Sequence, residues 1–467
     1  MLRSVQAFWM VRIFMCLLIG VSAVAAEDMQ WQAGVGRTEI TPTQAMWMAG
    51  YGHRDHPAEG TLTPLWCKAL VLEDQQGHRA VLVTLDLVGI DRRLTLDICE
   101  QLKTEFGLER SQIAFCSSHT HTGPALVRNL APLHYLVVDT PEQERIEAYS
   151  KQLVGKIVQS VRTAWNSLEP ASLAWGSGEA TFAVNRRENV EANVPTVRAA
   201  QQLSGPVNHH VPVLAIRNAD QQLRCVVFGY ACHATVLSFY QWSGDYPGFA
   251  QMELESHHPH CTAMFWAGCG ADQNPLPRRS VALAQHYGRR LADAVDAVLL
   301  TSDMEPIEPS LGTVYQEVAL PLDTLPSRTE LQSQTESKDR FVVARAKKLL
   351  ETLEARGHLE ESYPYPIAVW KLGQQVDFVF LGGEVVVDYA NRLMSELGQQ
   401  RTWVAGYAND VMAYIPSRRV LQEGGYEGAG AMVYYGLPSP WAPDVEKIIV
   451  DEVQRQITRS DRTASTP

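Results

Sequence analysis

Apolar and polar positions alternate in blocks along the chain, and the blocks predict strands and helices in turn. ALVLED (69–74) and AVLVTLDLVGI (80–90) read as strands, from their Val, Leu and Ile content. Leu94, Ile98, Leu102 and Phe106 then recur at helical spacing and form a single apolar stripe. IAFCSS (113–118) is the next strand, and a helix is expected around Ala148–Trp165. SLAWGSGEATFAV (172–184), VPVLAIRN (211–218) and RCVVFGYACHA (224–234) add further strands. Val342, Ala346, Leu349 and Leu353 mark another amphipathic helix. VDFVFLGGE (376–384) is a strand that leaves through two glycines, and Val387–Leu397 is a helix closed by Gly398. This alternation implies an α/β fold of mixed β-sheets covered by helices, in one large domain over 27–457. Only the last ten residues, TRSDRTASTP (458–467), read as a disordered tail.

The first 26 residues follow another pattern. Arg3 and Arg12 flank the start of a short apolar run, Ile13 to Ile19, and small residues end it at Ala25-Ala26. That is the arrangement of a cleaved signal peptide, with an uncleaved anchor as the alternative that the short apolar run disfavours, so the mature chain is expected to be secreted or periplasmic, with no transmembrane segment. Among 467 residues, 46% are hydrophobic and 20% charged, as in an ordinary globular protein with ample core. A formal net charge of −12 without a basic cluster excludes nucleic acid as a natural partner. Cysteines 67, 99, 116, 225, 232, 261 and 269 lack metal-type pairing and read as buried thiols, although export would permit a bridge such as Cys261 to Cys269.

Four places carry candidate chemistry. His119 and His121 follow the strand IAFCSS in SSHTHTGP. In an extended segment both would project to one side, with Thr120 opposite. Two such imidazoles suit a metal, a ligand beside a proton shuttle, or a polar turn. Thr122-Gly123 stand where a metallo-β-lactamase site needs Asp-His, and several strands precede the pair, unlike an amidohydrolase barrel. His233 closes a second apolar run in VVFGYACHAT. Glu384 sits at a strand-to-helix junction, where a carboxylate either ligates a cation or caps the helix. Tyr414 and Tyr426 lie in the loop-like GYANDVMAYIPSRRVLQEGGYEG.

Taken in order, GVGRTEIT, GYG, SSHTHTGP, Asn185-Arg186, FGYACHAT with SGDYPG, GGE, and YANDVMAY ending in YEGA resemble the catalytic domain of the neutral (non-lysosomal) ceramidase family. These are zinc-dependent amidases that cut the N-acyl bond of ceramide. The resemblance implies one zinc per chain on His119, His233, Glu384 and Tyr414. It implies that His121 transfers the proton, and that Arg186 and Tyr426 hold the reacting carbonyl. Such a nitrogen and oxygen ligand set suits zinc, which activates water for attack on an amide. The expected substrate is ceramide or a smaller N-acyl amine. The alternatives are a zinc hydrolase of another ester or amide, and a non-catalytic domain that binds lipid or glycan. Two departures from the family bear on substrate. Gln273 in FWAGCGADQNPLP stands where the family has a serine, and the family's C-terminal β-sandwich has no counterpart after AMVYYGLPSPW. If Gln273 lines the pocket, it should narrow it.

Overall fold

The computed structural model describes residues 30–300 and 304–464, so the expected signal peptide lies outside the described residues. Two mixed sheets pack face to face, and helices cover both outer faces. The larger sheet runs in the order Thr262–Ala267, Leu223–Tyr230, His210–Asn218, Glu169–Glu179, Trp31–Glu39, Trp66–Glu73, Arg79–Leu85, Ile113–Ser117. Its outermost pair at each end is parallel, and the pairs between are antiparallel. The smaller sheet runs Leu311–Pro321, Ser362–Leu372, Val376–Leu381, Thr402–Ala405, with the last pair parallel.

The continuous apolar runs in the sequence follow from this layering. Ile113–Ser117 and Val376–Leu381 are buried at every position because both faces of each strand are covered. Between the sheets, Trp31, Leu82, Met264 and Trp266 of the larger sheet meet Trp370, Phe378 and Trp403 of the smaller. Outside the larger sheet, Leu94, Ile98 and Leu102 of Arg92–Phe106 pack with Ile146, Leu153 and Ile157 of Thr140–Asn166. Leu254 and Val295 cover its other half. Leu393, Ile449 and Val453 cover the smaller sheet. The α/β class expected from the sequence is the class observed, in four layers. All seven cysteines from 67 to 269 are buried and free, so Cys261 and Cys269 are not bridged.

Element ends differ in instructive places. The helix expected from Ala148 begins at Thr140, because Asp139 accepts from Glu142 N and Pro141 occupies the first turn. The expected tail from 458 is helical as far as Ala464, in the helix Val445–Ala464. Gln456 and Ser460 are buried on its inner face. The packing stripe thus continues through polar residues that a hydropathy pattern does not register.

The layering also sets the site. The strands Ile113–Ser117, Leu223–Tyr230 and Val376–Leu381 deliver His119, His233 and Glu384 from their C-terminal ends. The short strand at Tyr414–Ile415 pairs with Glu384–Val385, with Tyr414 opposite Glu384.

Candidate metal centre

The chain leaves Ser117 and turns sharply, with His119 at φ 59 in the left-handed region. That conformation costs a non-glycine residue free energy and is held by its surroundings. Thr120 and Thr122 each donate a hydroxyl to Ser243 O at 2.7 Å, and Gly123 O accepts from Ala49 N at 2.9 Å. The segment is therefore a pinned turn rather than the extended stretch expected from the alternation of side chains. The two rings still converge, with Nε2 of His119 and His121 3.1 Å apart.

His119 Nδ1 lies 2.6 Å from Val88 O, and His233 Nδ1 lies 2.8 Å from Gly270 O. A carbonyl only accepts, so each Nδ1 carries the proton and donates it. When these imidazoles are neutral, their Nε2 atoms are lone-pair acceptors. Both Nε2 atoms lie 3.1 Å from Glu384 Oε2. Three buried acceptors facing one another at hydrogen-bond distance require a cation or a proton between them. The ligand nitrogens of His119, His121 and His233 all lie within 4.8 Å of one another, and this group could hold a metal ion. Tyr414 Oη is 3.4 Å from His233 Nε2, so all four positions of the expected ligand set meet at one point.

Burial, helped by Arg186, lowers the His233 pKa to about 4. Burial with His119 and His233 nearby holds His121 well below the usual imidazole range. Both effects favour neutral rings, the form that ligates. Burial pushes the Glu384 carboxyl up, while positive charge on His119 and His233, when they are protonated, would hold it well below the usual carboxylate range. Tyr435 donates its hydroxyl to Glu384 Oε1. The capping alternative for Glu384 is overturned, because Asp272 Oδ1 accepts from Val387 N at 2.8 Å at the start of that helix.

Arg186 reaches the same point from the strand Ala183–Asn185. Its Nε donates to Glu427 at 2.8 Å and its Nη2 to Tyr414 Oη at 3.1 Å. Its Nη1 is held only loosely, 3.4 Å from Asn274 Oδ1. The Tyr426 ring lies 5.3 Å from that of Tyr414 and 5.7 Å from the Arg186 guanidinium carbon, and the residue is 47% exposed. A cleft of about 710 Å³ opens on His121, Arg186, Tyr414 and Tyr426.

Gln273 does not face this cleft. It is fully buried, accepts from Asn208 N at 3.0 Å and donates to Ala231 O. The expected narrowing of the pocket by Gln273 is overturned, because backbone groups hold both ends of its amide. Its neighbour Asn274 lines the wall instead.

Several residues at the centre had no assigned role in the sequence reading. Tyr407 stacks on His119 at 4.2 Å. Glu427 binds both Arg186 and Arg187. Asp272 ties Arg186 N, Asn185 and the helix at Val387 together. Tyr407 and Glu427 stand inside the YANDVMAY and YEGA motifs, which was the available signal. Asp272 and Tyr435 carry no local signal.

Residues 31–271 match the family model described as neutral/alkaline non-lysosomal ceramidase, N-terminal. The neutral ceramidase of Pseudomonas aeruginosa is 26% identical over 247 residues, which is 51% of this chain and 36% of that protein. A neutral ceramidase of Oryza sativa is 26% identical over 280 residues, 58% of this chain and 33% of that protein. The matched stretch thus spans about a third of the length of these curated relatives. A solved structure titled as a ceramidase complexed with C2 superposes with a TM-score of 0.70 at 18% identity, over 92% of this chain and 76% of that one. The crystal structure of the Pseudomonas aeruginosa neutral ceramidase gives a TM-score of 0.70 at 18% identity, over 93% and 75%. At that identity the two structures speak for the fold.

Proposed function

Because the chain belongs to the neutral/alkaline non-lysosomal ceramidase family, we propose that it hydrolyses the N-acyl amide bond of ceramide or a ceramide-like N-acyl amine with one bound zinc. The observation that carries this reading is the meeting of His119 Nε2 and His233 Nε2 at Glu384 Oε2, each at 3.1 Å, where neutral rings protonated at Nδ1 bring three acceptors together. His119, His233, Glu384 and Tyr414 would hold the ion. When bound, zinc supplies a Lewis acid and a water activated near neutral pH.

The rest belongs to the chain's own side chains. Arg186 Nη1, held only loosely by Asn274, has an N–H to offer, and with the Tyr426 hydroxyl it would stabilise the oxygen of the reacting carbonyl. His121 Nε2 lies beside the ligand cluster, and its Nδ1 has no hydrogen-bond partner among the described residues. It would move the proton to the departing amine. Export through cleavage of residues 1–26 belongs to the same proposal. The test is metal analysis of the purified protein together with amide hydrolysis. About one zinc per chain and activity lost on chelation and restored by zinc are expected, whereas full activity in metal-free protein would end this reading.

A further inference from the structure

His119 and His233 each have an Nδ1 fixed by a backbone carbonyl, Val88 O at 2.6 Å and Gly270 O at 2.8 Å. His121 does not, because its buried Nδ1 has no hydrogen-bond partner among the described residues. A ring that moves a proton must still be held to within about 0.5 Å. Its support comes from behind. Ala234 O accepts from His121 N at 3.2 Å, and Arg54 Nη2 donates to His121 O at 2.8 Å. The Nδ1 edge of the ring rests against Gly50, where an added Cβ would lie 2.4 Å from Cγ and 2.5 Å from Nδ1. Gly50 is fixed in turn by His134, whose Nε2 accepts from Gly50 N at 2.9 Å.

Both supports are unfavourable to build for stability alone. Arg54 is fully buried, and its guanidinium has no carboxylate partner among the described residues. Burial lowers its pKa to about 10, so it is charged at neutral pH. A buried charge without a counter-charge destabilises a fold. Its compensation is Phe239 O, at 3.1 Å from Nη1, and the rings of Tyr51 and Tyr240, 5.4 and 5.1 Å from its central carbon. His134 is also fully buried. Gly50 N can only donate, so Nε2 is the bare nitrogen and the proton sits on Nδ1, which has no partner among the described residues. Burial, with Arg54 and Arg340 nearby, lowers the His134 pKa to about 3 and keeps Nε2 bare. Polar groups so placed persist where their position serves the site.

We infer that Arg54 and His134 are positioning residues for His121, one through its carbonyl and the other through Gly50, and that together they set its ring beside the metal centre. This rests on the reading of His121 as the proton carrier and adds the two residues that keep it in place.

The test is a pair of double-mutant cycles on the zinc-loaded full chain with N-acetylsphingosine, beside crystal structures of the variants. Arg54→Met and His134→Leu are each expected to keep zinc content and KM and to lose roughly 10–100-fold in kcat, the scale of a displaced catalytic group. In a His121→Ala background neither should cost more than about twofold further, because each acts through the residue already removed. The amide oxygen of His134→Gln can accept from Gly50 N and should recover most of the His134→Leu loss, whereas the shorter His134→Asn should not. In the crystal structures of Arg54→Met and His134→Leu the His121 ring should be displaced while His119, His233 and Glu384 stay in place. Should either variant not fold, Arg54→Lys or His134→Asn enters the same cycle in its place. Wild-type kcat, zinc lost in step with kcat, or an equal loss with and without His121 overturns the inference and leaves amide hydrolysis standing. Full turnover in His121→Ala overturns the proton-transfer reading, and the inference falls with it. If the wild type cleaves no amide, the hydrolase reading fails, and an undisplaced His121 ring in both variants overturns the inference separately.

Discussion

Arg186 donates from Nη2 to the Tyr414 hydroxyl at 3.1 Å, while its Nε is held by Glu427 at 2.8 Å. The planar fork of the guanidinium makes both contacts at once, and a lysine ammonium cannot reproduce them. Arg186→Lys is expected to keep its zinc and lose roughly 10²–10³-fold in kcat, the range for one lost donor to a developing oxyanion. Metal analysis beside steady-state kinetics checks this. A variant that loses zinc in step with turnover would make Arg186 a support for Tyr414 and nothing more.

The three histidines should separate by metal content. His119→Ala and His233→Ala each remove a nitrogen from the meeting point at Glu384, and both should purify largely without zinc. His121→Ala should retain zinc and lose roughly 10²–10⁴-fold in turnover, as for a positioned proton donor. Loss of zinc from His121→Ala would make all three histidines ligands.

Gly50 is a backbone position that tolerates no side chain. Its φ is 93, and a Cβ there would lie 2.4 to 2.6 Å from the His121 side chain. Gly50→Ala must strain the backbone and displace His121 together. A stability loss of about 1–3 kcal/mol is expected from such strain, with a fall in kcat like that of His121→Ala. Denaturant melts and kinetics read the two effects, and wild-type kcat in Gly50→Ala would remove His121 from the chemistry.

Gln273→Ser should act on stability rather than on substrate choice. The shorter side chain abandons Asn208 N and Ala231 O inside the protein. Unmet buried groups cost about 1–3 kcal/mol each, partly offset where water enters. The melting temperature should fall while the order of preference among amide substrates stays the same. A reordering of substrates at unchanged stability would count against this placement of Gln273.

Asp410 should make stability depend on pH. Burial raises its pKa to about 7, against a partial lowering by Tyr363, whose hydroxyl donates to it at 2.6 Å. An unfolded aspartate titrates near 3.9. The folded carboxyl therefore holds its proton more tightly than the unfolded one. Its contribution is whole below about pH 4 and is lost as pH rises through about 7. Asp410→Asn removes that loss, so it should match the wild type at pH 4 and exceed it by pH 8, by an amount on the order of 2–4 kcal/mol. Chemical denaturation at both pH values tests this, and a constant difference between the two proteins would refute it.

The sequence by itself determined the elements that local chemistry dictates. Leu94, Ile98 and Leu102 fall on one helical face whatever surrounds them, and Asp91 and Gly107 close that helix at its two ends. Apolar runs such as IAFCSS and VDFVFL could only be covered strands. The ends of those runs are also local, which is why His119, His233 and Glu384 were legible as strand-exit residues. Their motifs, taken in order, carried the resemblance to the family.

Only the tertiary structure decided what those residues do together. Whether Glu384 caps a helix or meets two histidines depends on Asp272, which takes the helix start itself. Nothing in the sequence around Gln273 shows that Asn208 and Ala231 bind it away from the cleft. The left-handed turn at His119 was equally hidden, because Ser243, from a distant segment, holds Thr120 and Thr122 in place. Hydropathy reports which residues avoid water, and short-range spacing reports which share a face. Neither reports which buried donor finds which acceptor across the gap between two sheets, and this site is made from those pairings.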